Sequence, residues 1–165
     1  EVLDIDPFEV EIASLRRLAG ERGGLDMAEA PRDECLDLLM SLVIEPELGR
    51  DGIDVVLDYP ASQAAWARRH QDPRDGAWVA SRFEVYLDGL ELANGYDELT
   101  DVDEQRARFA DDNRARREEG LAEVDVDERL LAALGAGMPE GSGVALGLDR
   151  LIQLALGKSL SLIHI

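Results

Sequence analysis

The sequence predicts an α+β fold, an antiparallel sheet flanked by helices, on three observations. Asp88-Gly89 separates two runs, residues 83–87 and 90–94, of which the first alternates apolar and polar side chains. That dipeptide tolerates the positive φ angles of a type I′ turn, so the pair reads as a hairpin. Residues 53–58 are rich in β-branched side chains, which suit a pleated surface. Other segments carry apolar residues at helical spacing. A length of 165 residues suits one domain with a sizeable core.

In chain order, Asp6-Pro7 reads as an N-cap and first-turn proline. Phe8, Ile12, Leu15 and Leu18 follow at helical spacing, and Gly23-Gly24 ends the helix. A second helix is expected over residues 32–43, with Leu36, Leu39, Met40 and Val43 on one face, stopped by Pro46 and Gly49. The strand at 53–58 is closed by Tyr59-Pro60, and Ala61-Ser62-Gln63 is a polar turn into a further helix. Residues 71–76 form a loop by their Pro, Gly and Asp content. The hairpin turn pairs Leu87 with Leu90 and Tyr86 with Glu91, so Glu91 shares a face with Tyr86 and Glu84. Strict alternation sends Asn94 to the other face. If Glu91 and Asn94 serve one pocket, the strand must bend or bulge, and Asn94-Gly95 is the expected place.

Asp101 and Glu104 have capping-box spacing and open a polar, exposed helix that runs to Glu119 and stops at Gly120. A short helix follows over 127–134, then a glycine-rich connection. Residues 144–148 read as a buried strand, and Asp149 as the cap of a helix ending at Gly157.

The formal charge is −19, from 36 acidic and 17 basic residues, with Lys158 the single lysine. A solvated acidic surface is the ordinary reading. A protein that grips nucleic acid needs a basic footprint. Here the arginines between Arg106 and Arg117 are interleaved with acids, which disfavours tRNA. Cys35, the one cysteine, excludes an internal disulfide and is expected buried and inert. No apolar run approaches the roughly 20 residues that span a bilayer, so no membrane partner is expected. No signal sequence is visible, so the cytoplasm is the default location.

Two stretches carry the candidate chemistry. In Glu91-Leu92-Ala93-Asn94-Gly95-Tyr96-Asp97-Glu98-Leu99, two glutamates flank an Asn-Gly. Two carboxylates beside a polyphosphate can share Mg²⁺. A carboxylate can instead pair with a substrate ammonium, and two surface acids in an acidic chain is the plain alternative. In Gly143-Val144-Ala145-Leu146-Gly147-Leu148-Asp149-Arg150, glycines permit close approach of backbone to a flat ligand. Arg150 can meet a phosphate or stack on a base, or simply pair with a neighbouring acid. Gly157-Lys158-Ser159 is not a P-loop, because Ile152 stands where the motif's first glycine belongs. Gly141-Ser142-Gly143 lacks the third glycine of a dinucleotide fingerprint. His70 and His164 are too isolated for a metal cluster.

Taken together, Phe83-Glu84-Val85-Tyr86, Glu91 to Gly95 and Glu98-Leu99-Thr100-Asp101 resemble the C-terminal half of class II lysyl-tRNA synthetases. Gly143 to Arg150 is similar to the third signature motif of class II synthetases. Glu91-Leu92-Ala93-Asn94-Gly95, Tyr59-Pro60-Ala61-Ser62-Gln63-Ala64 and Ala145 in place of the usual glycine bring the chain nearer to a short paralogous family, the elongation factor P lysine ligases. The resemblance covers about residues 3–157.

It implies a class II aminoacyl-tRNA synthetase-like catalytic domain, incomplete here, over residues 1–158, with ATP and Mg²⁺ as cofactors. Glu91, Leu92, Gly147 and Arg150 would contact ATP, with Arg150 the catalytic group near phosphate or adenine. Glu98 would hold the amine of the amino acid, Asn94 and Tyr96 would line its pocket, and Ala145 would shape it. Mg²⁺ would lie at Glu91, with Glu98 as its second carboxylate. Lysine or β-lysine is the implied substrate and a lysine of elongation factor P the acceptor, with a tRNA hydroxyl the rival. Two signature motifs of the family are absent. One builds the dimer interface, so a full-length parent is expected to be a homodimer and this piece inactive alone. Residues 159–165 stop resembling the family and read as a non-native or truncated tail.

Overall fold

The computed structural model describes residues 3–157, so the tail at 159–165 lies outside the described residues. The described chain is an α+β fold: five strands form one antiparallel sheet, with helices before and after it. Strand β1 (Asp54–Pro60) pairs with β3 (Trp78–Leu87), β3 with β4 (Leu90–Asp97), and β4 with β5 (Ser142–Leu146). The short β2 (Arg69–Gln71) takes up β3 where β4 has ended: Ala80 pairs with Tyr59 on one side and with Arg69 on the other.

The first helix starts later than its sequence pattern. Asp6 Oδ1 accepts from the backbone N–H groups of Phe8 and Glu9, and its carbonyl accepts from Val10, closing a separate single turn. Glu11 is then extended, and α1 (Ile12–Gly23) begins after it. Gly24, left-handed at φ 65°, ends α1 by donating to the Gly20 carbonyl. Helix α2 (Arg32–Leu39) does not run evenly to Val43. It widens to a π-turn over Met40–Ile44 and tightens to a 3-10 turn over Glu45–Glu47. Pro46 has no N–H for the Leu42 carbonyl, and its ring crowds that carbonyl, so the regular ladder cannot pass it. Leu15, Ala19, Met27, Cys35 and Leu39 pack as the buried core of this helical half.

Strand β1 continues through Tyr59-Pro60 rather than closing before them: Asp58, at φ 58°, stands opposite two residues of β3, Ser81 and Arg82, and this bulge shifts the register between Leu57 and Tyr59. The expected helix after Ala61–Gln63 is a 3-10 turn alone, since Ala65 adopts φ 48° and leads the chain into β2. The hairpin turn has Asp88 at φ 51° and Gly89 at φ 72°, the positive pair of a type I′ turn. Helix α3 (Val102–Glu118) is capped by Asp101, whose side chain accepts from Asp103 and Glu104 N–H groups, and α4 (Glu128–Gly135) by Asp127 in the same way. Although polar, α3 buries Gln105 and Arg108. Arg108 donates to the carbonyls of Ala65 and Ala67, tying the helix to the segment before β2.

Strand β5 corrects the expectation of a buried strand: Val144 is 63% and Leu146 50% exposed, because β5 is the sheet edge. Helix α5 (Leu148–Leu156) is entered through Gly147, with no side-chain cap; Asp149 lies inside its first turn. No helix among the described residues is long and apolar enough to cross a membrane.

Candidate functional site

Cross-strand partners share a face of a sheet, so the register sorts the side chains. Arg82, Glu84 and Tyr86 on β3 oppose Tyr96, Asn94 and Glu91 on β4, and Tyr96 and Asn94 oppose Gly143 and Ala145 on β5. One face therefore carries Glu91, Asn94, Tyr96 and Ala145 together. The bulge that makes this possible is at Leu92, not at Asn94-Gly95: Tyr86 pairs with Glu91 but Val85 with Ala93, leaving Leu92 as the extra residue. Leu92 and its neighbour Ala93 are both buried.

The centre of the face is Glu84, buried and held by four donors. Its Oε2 accepts from the hydroxyls of Tyr59 (2.5 Å) and Tyr86 (2.6 Å), and its Oε1 from Arg82 and from Asn94 Nδ2 (3.1 Å). Burial pushes both tyrosine hydroxyls well above the ordinary range, and donation to the Glu84 carboxylate adds to it, so both stay protonated. Arg82 lies over the Tyr59 ring at 4.4 Å and near Tyr96 at 5.9 Å. Asn94 Oδ1 is buried with no donor among the described residues.

Glu98 follows β4, and its carboxylate reaches the same face over Gly143. A Cβ built on Gly143 would lie 2.3 Å from Glu98 Oε1. Since Gly143 opposes Tyr96, the missing side chain is what makes room for the carboxylate beside Tyr96. The Glu98 backbone is fixed by its N–H to the Gly141 carbonyl (3.0 Å) and by Arg68 Nε on its own carbonyl (2.9 Å). Asn94, Tyr96 and Glu98, at alternate positions, thus line one strip.

At the other end of β4, Arg150 from α5 donates to the Glu91 carbonyl (2.6 Å) and to Glu91 Oε2 (3.3 Å). Gly147 N–H donates to the Leu92 carbonyl at 2.8 Å, joining the start of α5 to the bulge. Glu45 completes this end: its carboxyl is pushed up first by burial, then by the charge of Glu84, while Glu91 raises and Arg150 lowers it. Those influences place Glu45, Glu84, Glu91 and Arg150 in one electrostatic neighbourhood, in which Glu84 is already paired with Arg82. Arg150 is exposed, so its guanidinium has room to turn toward a ligand.

Glu91 and Glu98 are not brought together. They lie near opposite ends of β4, about 20 Å of extended chain apart, so one ion does not meet both. No group of three or more His, Cys, Asp or Glu among the described residues is disposed to hold a metal ion. Mg²⁺ does not need such a cage, because phosphates and waters supply most of its ligands and one or two carboxylates suffice. Sequence reasoning gave no role to Glu84, Tyr59, Arg82 or Glu45. The alternation of residues 83–87 put Glu84 on the face of Glu91; the irregularity opposite Asp58 that brings Tyr59 to it has no sequence signature. An open groove of about 680 Å³ over Trp66, Phe109, Leu121 and Val124 is lined by none of the residues of this face.

Residues 35–161 match the family model described as tRNA synthetases class II (D, K and N). A protein of Pectobacterium atrosepticum named elongation factor P--(R)-beta-lysine ligase is 52% identical over 157 residues, 93% of this chain and 47% of its own length. Proteins of the same name from Erwinia tasmaniensis and Vibrio cholerae are 52% and 51% identical over 93% and 95% of this chain, and 47% and 48% of their own lengths. The chain spans about half the length of the curated relatives it matches.

Proposed function

The chain belongs to the class II tRNA synthetase family, and from that premise we propose that it supplies the amino-acid and part of the ATP site of a ligase that modifies elongation factor P. The observation that carries this reading is one sheet face with amine-accepting groups at one end and an acid–arginine pair at the other. Glu98 would accept the ammonium of a lysine or β-lysine, with Asn94, Tyr96 and Ala145 around it. Glu91, Leu92, Gly147 and Arg150 would meet ATP. Glu45 and Glu91 beside the single guanidinium of Arg150 leave an excess of acid that fits a divalent cation, which Glu91 would help hold. Mg²⁺ there would offset the charge of the phosphates.

The amino-acid carboxylate attacks the α-phosphate of ATP, the bond to the β-phosphate bridge breaks, and pyrophosphate leaves. Arg150 turns from Glu91 to the phosphates as negative charge develops on the leaving group. The mixed anhydride is then attacked by a lysine amine of elongation factor P, AMP leaves with the electron pair of the broken acyl–oxygen bond, and the amine loses its proton. This chemistry is set in the cytoplasm. The −19 charge counts against a tRNA acceptor.

The test is ATP–pyrophosphate exchange driven by lysine or β-lysine, by this chain joined to the remaining half of the Pectobacterium atrosepticum relative. Acyl transfer is then assayed to elongation factor P and to tRNA. Exchange followed by transfer to the factor is expected, and Glu98→Gln should lower exchange at least about tenfold through loss of a charged hydrogen bond. Efficient charging of tRNA with none of the factor would overturn the choice of acceptor, and unchanged exchange in Glu98→Gln the choice of amine ligand.

A further inference from the structure

We propose that the groove between α3 and residues 119–127 is a docking site for another protein, which presents a basic amphipathic helix. None of the residues placed in the ligase site lines this groove, so the two readings fail separately. Part of the lining is a single face of α3 and its C-cap. Phe109, Asp112, Asn113, Arg116 and Glu119 recur at helical spacing over about 15 Å of helix. Leu121, Val124, Val126 and Leu130 line the rest with Trp66, whose ring meets Phe109 edge-on at 5.7 Å between centroids. The segment after α3 is held beside the helix by side chains. Asn113 Nδ2 donates to the Val124 carbonyl and Asn113 Oδ1 accepts from the Val124 N–H, both at 2.9 Å. Arg116 Nε donates to the Ala122 carbonyl (2.7 Å), and the Leu121 N–H to the Arg116 carbonyl (2.8 Å). These bonds satisfy the segment's backbone from α3 and fix it without packing its apolar side chains down. Leu121 and Val124 are left half or more exposed, and Trp66 nearly so.

Apolar side chains gathered around an exposed groove mark an interaction surface, and the charge around them says what fits. Asp112, Glu119 and Asp125 line the groove and form no ion pair among the described residues. The arginines nearby are taken, Arg106 by Glu128, Arg114 by Asp111 and Arg117 by Glu123. Arg116 is the single cation in the lining, and its Nε is held by Ala122. A helix with lysines or arginines flanking an apolar stripe answers both the acids and the apolar lining. Its anchors at i, i+3 or i+4 and i+7 span about 10 Å, which the face of α3 accommodates. A second copy of this chain would instead set its own acids against these, and like charges repel. A small molecule is held by enclosure, whereas this groove is open.

The test is calorimetry of the 165-residue chain with a synthetic helical peptide that carries leucines at i, i+3, i+4 and i+7 and lysines elsewhere. One control peptide has glutamates for the lysines, and another has the same composition with its leucines scattered round the helix. Binding of the first peptide alone is expected, weakened at least about fivefold between about 0.05 M and about 0.5 M salt as the charges are screened. Leu121→Lys removes an apolar anchor and adds a like charge, so it should weaken binding about tenfold, and Asp112→Lys with Asp125→Lys at least as much. Ile152→Lys, on the exposed side of α5, should bind the peptide as wild type does. These positions are exposed, so melting should show the variants folded. If one is not, NMR of ¹⁵N-labelled wild type decides: the peptide should move the Trp66 indole and the amides of residues 109–130. No binding, equal binding of either control peptide, shifts centred elsewhere, or a loss in Ile152→Lys but not in Leu121→Lys would overturn the inference. So would self-association of the chain that Leu121→Lys abolishes, which puts a second copy in the groove. Peptide binding lost on joining the chain to the remaining half of the Pectobacterium atrosepticum relative would overturn it too, by putting that half there.

Discussion

Gly143 shows how a single absent side chain can matter to a site more than to the fold. A Cβ there would press on Glu98 Oε1 at 2.3 Å but on no backbone atom within the same range. The tip of a glutamate can swing away, so Gly143→Ala should cost stability only slightly, within about 1 kcal/mol. The displaced carboxylate would no longer stand beside Tyr96, and lysine affinity should fall about tenfold. Thermal melting together with calorimetry checks both halves; an unchanged lysine affinity would mean that Glu98 binds no amine. Gly147 differs, since a Cβ there would meet only ordinary contacts at 3.5 Å. Its N–H is spent on the Leu92 carbonyl, a bond that any residue but proline could make. At this scale the pairing of Arg150 with a neighbouring acid was legible. Glu84 was hidden because an acid at the polar position of an alternating strand looks like surface, and the donors that bury it include one from 25 residues away.

Two bulges and one turn decide what the sheet presents. The Asp88-Gly89 turn set the register as its dipeptide requires, pairing Leu87 with Leu90. The need for a bulge between Glu91 and Asn94 followed from alternation, but its position did not. Gly95 offered itself in the sequence, yet Gly95 is spent on packing: a Cβ there would lie 2.4 Å from the Phe83 ring and 2.7 Å from the Gly143 carbonyl. The irregularity fell earlier in the strand, at Leu92, where Gly147 takes the Leu92 carbonyl. Helix α2 teaches the same lesson, since Pro46 acts back upon the turn before it rather than only stopping it. The turn also has a support that alternation cannot reveal. Gly49 and Leu48 accept through their carbonyls from Asp88 and Gly89 N–H groups, and Gly49, at φ 74°, lies so close that a Cβ would be 2.4 Å from Leu87 Cα. Backbone cannot swing aside as a side chain can. Gly49→Ala should therefore destabilise the chain by more than about 2 kcal/mol through strain and overlap. Urea unfolding checks this, and a midpoint equal to wild type would show that the contact is loose.

Over the whole molecule, the sheet is two-sided in chemistry. The site face gathers Arg82, Glu84, Asn94, Tyr96 and Glu98, while the opposite face and edge carry Val55, Leu57, Val144 and Leu146, all at least half exposed. The acidic balance of 36 to 17 was legible from composition alone. The fold class was legible because period and turn chemistry are local. The convergence of residues from β1, β3, β4, β5 and α5 was not, because it depends on the register of four strands at once. The most direct test of that convergence is an NMR titration of the ¹⁵N-labelled chain with lysine and, separately, with Mg-ATP. Lysine should move the amides around 94–98 and 143–145, and Mg-ATP those around 91–92 and 147–150, as two adjoining patches on one face. Shifts confined to the Trp66–Phe109 groove, or no shifts with either ligand, would contradict the account.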